Sequence, residues 1–131
     1  MVNCKHMARL ICLALVCLLV AGCGLFDIEG DDRIKYEVTG TASSVSIIIH
    51  NAGGNIEELS EVSVPWSSQE FKPKYREETD GRFYHAYISA KNNGDSGSVT
   101  VTIYNKGEVR ETATSKGAYV TATASSRVRS I

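Results

Sequence analysis

Residues 34–50 read IKYEVTGTASSVSIIIH, and this stretch decides the fold class. Apolar side chains recur at every second position, first at 34, 36 and 38 and again at 45, 47 and 49. A period of two is typical of a strand that buries one face and exposes the other. Turn-forming residues separate the two halves. The stretch therefore predicts two consecutive half-buried β-strands.

The alternation continues through the rest of the body. It predicts further strands at 56–60, 62–66, 82–91, 98–104, 108–114 and 118–124, with a weaker candidate at 69–72. The polar segment 74–81 predicts a loop, and the segment 92–97 predicts a turn. No apolar stripe at helical spacing is long enough to predict a helix. Seven to eight strands in about 100 residues predict an all-β, immunoglobulin-like antiparallel β-sandwich, whose strand order stays open.

Composition and charge narrow the function classes. The chain has 131 residues, of which 43% are hydrophobic and 22% charged, and this balance excludes an intrinsically disordered protein. Lys and Arg number 14 against 15 Asp and Glu, so there is no basic excess and we expect no nucleic-acid partner. All four cysteines lie within the first 23 residues, which excludes a disulfide framework in the body.

The amino-terminal segment has the layout of a secretory signal peptide. Lys5 and Arg9 precede an uncharged apolar run of 12 residues at 10–21, LICLALVCLLVA. A bilayer span needs about 20 such residues, so a run of this length predicts a cleaved segment instead. Gly22 and Cys23 follow, and the sequence VAGC resembles the lipobox of bacterial lipoproteins. We therefore expect cleavage between Gly22 and Cys23 and a diacylglycerol anchor on the Cys23 thiol.

These features divide the chain into four parts. They are a lipoprotein signal peptide at 1–22, the lipidated cysteine with an acidic tether at 23–32, the β-sandwich domain at 33–125 and a basic tail at 126–131. We expect an extracytoplasmic protein that is held at a bacterial membrane by its lipid anchor. By analogy with the sorting rule of enteric bacteria, Gly24 permits delivery to the outer membrane in a host that has one.

The body offers little for catalysis. His50 and His85 are its only histidines, and neither a zinc-ligand spacing nor a Gly-x-Ser-x-Gly elbow occurs. The segment 92–97 contains one carboxylate and lacks the distal glutamate of a calcium loop, so we interpret it as a turn. We therefore predict no catalytic residue, no metal ligand and no cofactor.

One predicted strand has features of a binding surface, because Phe83, Tyr84, His85 and Tyr87 follow one another closely in it. Phe83 and Tyr87 fall on one face of this strand and Tyr84 on the other. One face must be core, and aromatic residues on the other face suit a partner or a sugar. A loop that covers the second face is the alternative interpretation.

A series of short runs also resembles successive landmarks of the mycobacterial membrane protein small (MmpS) family. In chain order they are YEVTG at 36–40, ASSVSI at 42–47, VPW at 64–66, SAKNNGDSGSVT at 89–100 and TSKGAY at 114–119. The runs keep the family's order and similar spacing over roughly residues 34–124.

The resemblance implies a β-sandwich outside the cytoplasmic membrane that serves as an accessory to a large RND-type (MmpL) transporter of lipids or siderophores. It implies no catalytic residues. Two features depart from the family pattern. A lipobox stands where family members have a transmembrane helix, and Val101 and Ala124 stand at about the positions of the family's paired cysteines.

Two main hypotheses follow, with a third kept beside them. The first is a non-enzymatic envelope lipoprotein whose β-sandwich contacts other proteins, as a transport accessory does. The second is a carbohydrate or small-ligand module that uses the aromatic strand. The third is a hydrolase. A broad flat patch favours the first, an exposed aromatic cluster in a concavity favours the second, and a buried carboxylate or histidine with a perturbed pKa in a cleft favours the third.

Overall fold

A computed structural model describes residues 32–130 of the chain, and its regular structure there consists of nine β-strands. The strands are β1 Ile34–Thr39, β2 Val45–His50, β3 Ile56–Val62, β4 Trp66–Ser67, β5 Arg76–Glu78, β6 Gly81–Asn92, β7 Ser98–Asn105, β8 Glu108–Lys116 and β9 Thr121–Arg129. They form two antiparallel sheets packed on a common core. The all-β sandwich predicted from the alternation is confirmed, with one strand more than the upper end of the predicted range.

The first sheet has four strands in the order β4-β1-β7-β8, and the second has five, in the order β3-β2-β6-β5 with β9 also on β6. Strand β6 is 12 residues long and organises the second sheet. β9 pairs with residues 83–91 along one edge of β6. Along the other edge, β2 pairs with residues 88–92 and β5 with residues 81–83. Residues 84–87 therefore have no ladder partner on that second edge, which leaves a gap between β2 and β5.

The core lies between the inner faces of the two sheets. In β1 and β2 every second residue is buried, as the alternation in the sequence predicts. Ile34, Tyr36 and Val38 from β1 are fully buried, and they face the second sheet. Burial of each such side chain is worth about 1.5–3 kcal/mol, so these alternating positions account for much of the drive to fold.

A buried amide joins two turns at one end of the sandwich. The Asn92 side chain has no exposed surface, although asparagine is usually found outside. Its Nδ2 donates to the carbonyls of Ser96 at 2.8 Å and of Gly117 at 3.0 Å, and its Oδ1 accepts from the Gly94 amide at 2.8 Å. All polar atoms of this amide are therefore paired, and the β6–β7 turn is tied to the β8–β9 turn.

Gly40, the residue that follows β1, has a backbone conformation that only glycine adopts easily. Its φ is 133°, and a Cβ atom there would lie 2.2 Å from the carbonyl oxygen of Ser98. The amides of Thr41 and Ala42 both donate to the same Ser98 carbonyl at 3.1 Å. The absence of a side chain at Gly40 thus allows the β1–β2 connection to lie directly on the start of β7.

The last strand differs most from the prediction. β9 covers Thr121–Arg129, whereas the sequence predicted a strand at 118–124 and a basic tail at 126–131. The inward residues of β9 are small or interrupted by a serine, Ser126, so the alternation is weak there. Val128 completes the buried face, and the Ser130 amide donates to the carbonyl of Arg82 at 2.9 Å. Most of the predicted tail is thus part of the sheet.

The segment between β2 and β6 also differs in detail. β3 continues to Val62 through a bulge between the Val45–Val62 and Ile47–Leu59 pairs, and the strand predicted at 62–66 is wrong, since only its last residue belongs to β4. The predicted strand at 69–72 is an isolated bridge between Ile34 and Phe71. The predicted loop at 74–81 contains β5, whose three residues are all exposed and so show no period.

The predicted signal peptide, Gly22, Cys23 and most of the tether lie outside the described residues. Within residues 32–130, no helix is long and apolar enough to cross a membrane.

Candidate functional site

The gap in the edge of β6 is bridged by side chains instead of a ladder. In an antiparallel strand the N–H and C=O of one residue point to the same edge, so those of His85 and Tyr87 point into the gap. The His50 ring donates from Nδ1 to the His85 carbonyl at 3.0 Å. The Tyr87 amide donates to the hydroxyl of Tyr36 at 3.3 Å. At this point the backbone of β6 is therefore bonded to side chains and not to a neighbouring strand.

Two buried tyrosines hold the end of β2 beside the gap. The Tyr36 hydroxyl donates to the His50 carbonyl at 2.7 Å. The Tyr84 hydroxyl lies 2.6 Å from the carbonyl of Asn51 and 2.8 Å from that of His50. Burial raises the pKa of both tyrosine hydroxyls, so both are neutral at physiological pH. This core network fixes the backbone of His50 and thereby the position of its imidazole.

A cavity of about 250 Å³ occupies the gap. The residues that line it are His50, Gly54, Lys74, Arg76, Phe83, Tyr84 and His85. None of these seven residues carries a carboxylate. The Lys74 amide donates to the carbonyl of Ala52 at 2.8 Å, which holds this segment against the β2–β3 loop. Within residues 32–130, the side chains of Lys74 and Arg76 form no ion pair. The cavity therefore has a cationic wall.

Beside the cavity, a network of paired charges covers the outer face of the second sheet. His85 Nε2 donates to Glu78 Oε1 at 2.5 Å. Arg127 Nη2 lies 2.6 Å from Glu78 Oε2 and 2.8 Å from Asp80 Oδ1. Hydrogen bonds from His85 and then Arg127 lower the pKa of the Glu78 carboxyl, and that from Arg127 lowers the pKa of Asp80. Both carboxylates are thus ionised and already engaged.

The aromatic ring of Phe83 is covered by the same network. The Arg127 guanidinium lies 3.5 Å from the centre of the ring, and that of Arg129 lies at 5.9 Å. Phe83 is only 7% exposed as a result, although it is on the outer face of the sheet. Tyr87, next but one on that face, is half-buried, and its ring centre lies 5.2 Å from that of His50.

The predicted binding residues are therefore divided between two faces. Phe83, His85 and Tyr87 lie on the outer face, and Tyr84 lies in the core at 2% exposure, as the period of two predicts. Only His85 of the four is exposed, with 52% of its side-chain surface accessible. The predicted loop at 74–81 supplies Lys74 and Arg76, and these two residues complete the cavity together with His50. Their positions along the chain give no sign that the fold brings them together.

A second concavity adjoins the first across the two imidazoles. It measures about 210 Å³ and is lined by His50, His85, Ala86, Tyr87, Ser125, Ser126 and Arg127. A third, of about 470 Å³, lies between the free edges of β3 and β4, where Trp66 and Phe71 line it. Of these three, the first is the one whose wall carries unpaired cations.

The outer face of the first sheet is quite different. Five threonines pair across β1, β7 and β8 and form what we name the threonine face: Thr39, Thr100, Thr102, Thr112 and Thr114. The hydroxyls of Thr100 and Thr114 are 2.8 Å apart, and Thr112 donates to the carbonyl of Val101 at 3.1 Å. At one end of this face, Tyr104 pairs with Val109, which is 57% exposed. One carboxylate lies among these threonines, because Glu37 of β1 is directly opposite Thr102.

The resemblance to the MmpS family stays a prediction. The sequence matches no protein-family model, and it matches no curated protein.

Proposed function

We propose that this chain is a lipid-anchored extracytoplasmic protein that works by binding, and that its β-sandwich docks on a protein partner as an MmpS-like accessory to an RND-type exporter. The observation that carries the partner contact is the threonine face. The anchor rests on the apolar run at 10–21 and on Cys23. The resemblance to the family supplies the class of partner.

The threonine face has the properties that a protein contact needs. Its side chains are β-branched and therefore stiff at χ1, and several are bonded to one another or to backbone, so little side-chain entropy is lost when a partner covers them. Central charges are depleted in protein interfaces and aromatic residues are enriched. The threonines fit the first property, although Glu37 lies among them, and Tyr104, whose hydroxyl donates to Glu37 at 3.2 Å, fits the second.

The core contains one of the two departures from the family pattern. Val101 lies on β7 and Ala124 on β9, in facing sheets, and both are buried in the core. These are about the positions at which the family has its paired cysteines. The proposal therefore rests on the landmark runs of the sequence and not on this pair.

The chemistry around the two histidines favours binding over catalysis. Within residues 32–130, the imidazole of His50 bonds to a backbone carbonyl and that of His85 to the Glu78 carboxylate, and neither bonds to a serine or threonine hydroxyl. A hydrolytic triad requires a nucleophile within hydrogen-bond reach of its base. The proposal therefore assigns no catalytic residue.

The partner contact is tested by site-specific photocrosslinking in the native membrane. A benzoylphenylalanine placed at Thr114, on the threonine face, is expected to capture an RND-type exporter, identified by mass spectrometry. The matched control is the same residue at Thr123, which is equally exposed but lies on β9 of the other sheet. Thr112→Lys should abolish the capture, because it places an unpaired charge at the centre of the contact. Equal capture of the exporter from both sites, or from neither, would contradict the proposal.

The alternative of a small-ligand module keeps one specific observation in its favour, which is the cavity beside the aromatic strand. Sugar stacking loses support, because it needs an open aromatic face and the Arg127 guanidinium already covers Phe83. A small ligand of another chemistry remains compatible with this site.

A further inference from the structure

We infer that the cavity in the gap of the second sheet is an anion site that takes a single phosphate-type group. The site comprises Lys74 and Arg76 as cations and the backbone N–H of His85 as a further donor, with the His50 ring beside them. It deepens the small-ligand alternative and is independent of the threonine face, which lies on the other sheet.

The charge of the lining is the first argument. Lys74 and Arg76 both line the cavity, and within residues 32–130 neither has a carboxylate partner. The carboxylates nearest in sequence on the same outer face, Glu78 and Asp80, are bonded to His85 and Arg127 instead. The acids beside the site are thus neutralised by their own partners, and the positive charge of the wall is left for a ligand.

The directions of the donors are the second argument. Because a carbonyl can only accept, the contact of His50 with the His85 carbonyl makes Nδ1 the donor, so Nε2 of the neutral ring is an acceptor and the donors of the site are other groups. The His85 amide N–H points to the same gap as its carbonyl. Arginine presents a planar fork that matches phosphate and carboxylate oxygens, and lysine adds a point charge. These donors come from two separate segments, residues 74–76 and β6, and they meet at one opening.

The rigidity of the surroundings is the third argument. Tyr36 and Tyr84 hold the end of β2 through carbonyls of His50 and Asn51. Lys74 is held to the β2–β3 loop through its amide, and Arg76 is held to β6 by its pairing with Phe83. A site that is already arranged loses less free energy on binding than one that must be ordered by its ligand.

The size of the cavity limits the ligand. Pockets that enclose a whole drug-sized molecule usually measure about 300–1,000 Å³, and this one, at about 250 Å³, is smaller. It fits one anionic group with the remainder of the ligand outside. Two sources can supply that group: a free phosphorylated compound, or the headgroup of an anionic lipid in the membrane to which the proposed anchor holds the protein.

The test measures protection of Lys74 from acetylation in the full chain. Peptide mass spectrometry follows the rate at Lys74 relative to that at Lys116, an exposed lysine on β8 that serves as an internal control. One arm adds inorganic phosphate to the protein in a non-ionic detergent, with chloride at equal ionic strength as the reference. The other arm reconstitutes the protein in phosphatidylcholine vesicles with or without phosphatidylglycerol.

The outcomes separate the two sources and can overturn the inference. Saturable protection of Lys74 by phosphate supports a free ligand, whereas protection only by phosphatidylglycerol supports a lipid headgroup. Arg76→Gln should weaken either protection at least about tenfold, because it removes a charge-assisted pair of hydrogen bonds. Arg110→Gln makes the same charge change on β8 and should leave protection intact.

The anion site is wrong if neither probe slows acetylation of Lys74 relative to Lys116. It is also wrong if Arg110→Gln weakens protection as much as Arg76→Gln, because general surface charge then explains the effect. Neither of these results bears on crosslinking from Thr114, so a failure of the anion site is distinct from a failure of the partner contact.

Discussion

Removal of the buried amide at Asn92 should destabilise the sandwich more than any other single deletion of a polar side chain in its turns. Asn92→Ala takes away three hydrogen bonds, to Ser96, Gly117 and Gly94. Each is worth about 1 kcal/mol net, and the mutation also leaves two carbonyls and one amide without these partners in a partly buried place. We expect the free energy of unfolding to fall by about 3 kcal/mol.

Urea unfolding measures this loss directly. The single tryptophan of the chain, Trp66, packs against the core and reports the transition by fluorescence. With a slope of about 1.5 kcal/mol per molar urea, a loss of about 3 kcal/mol lowers the midpoint by about 2 M. The control is Asn55→Ala, an exposed asparagine in the β2–β3 connection, for which we expect a change within about 0.5 kcal/mol. A loss at Asn92 no larger than the control's would refute the assignment of Asn92 as the tie between the two turns.

Three further predictions concern other parts of the molecule. Gly40→Ala should destabilise the fold by several kcal/mol, because the new Cβ atom would lie 2.2 Å from the Ser98 carbonyl oxygen. The control in the same unfolding assay is Gly54→Ala, whose new Cβ atom meets nothing within 4 Å. Burial raises the pKa of Tyr36 and Tyr84 in the folded state. Their contribution to stability is therefore complete below about pH 10, which is the pKa of tyrosine in an unfolded chain. It is lost as the pH rises through the raised pKa values. Alkaline titration of the folded protein should therefore ionise fewer than the six tyrosines of the chain, and the remaining tyrosines should ionise only on unfolding. Ionisation of all six in the folded protein would contradict this prediction. Cys23→Ala should leave an unlipidated precursor, and a metabolic fatty-acid label that still marks this variant would exclude lipidation at that residue.

The part of the fold that could be predicted from the sequence is the part that local alternation encodes. Residues such as Ile34, Tyr36 and Val38 face the core because each stands two positions from the next, and this needs no knowledge of the neighbouring strand. β5 escaped prediction because all three of its residues are exposed. The end of β9 escaped because Ser126 interrupts its inward face, so Arg127 and Arg129 looked like a tail.

The candidate site depends on strand order, which alternation does not encode. The strand that carries Phe83, Tyr84, His85 and Tyr87 was correctly found, and so was the division of its faces. The cavity, however, exists only because β2 and β5 share one edge of β6 and do not meet. Nothing in the local sequence around Lys74 predicts that it lies beside His50. The role of Arg127 likewise depends on β9 being the partner of β6.

The pairing of β6 with β9 has a consequence for the order of folding. Partners such as Phe83 and Arg129 are far apart in the chain, and β7 and β8 lie between them. Contacts of such long sequence separation slow folding into the range of milliseconds to seconds. Until β9 arrives, one edge of β6 exposes unpaired backbone beside apolar residues, the arrangement from which strands of separate chains associate. We therefore expect aggregation of the refolding chain, rather than of the native protein, to begin at β6, and a chain shortened to exclude β9 to aggregate without reaching the native state.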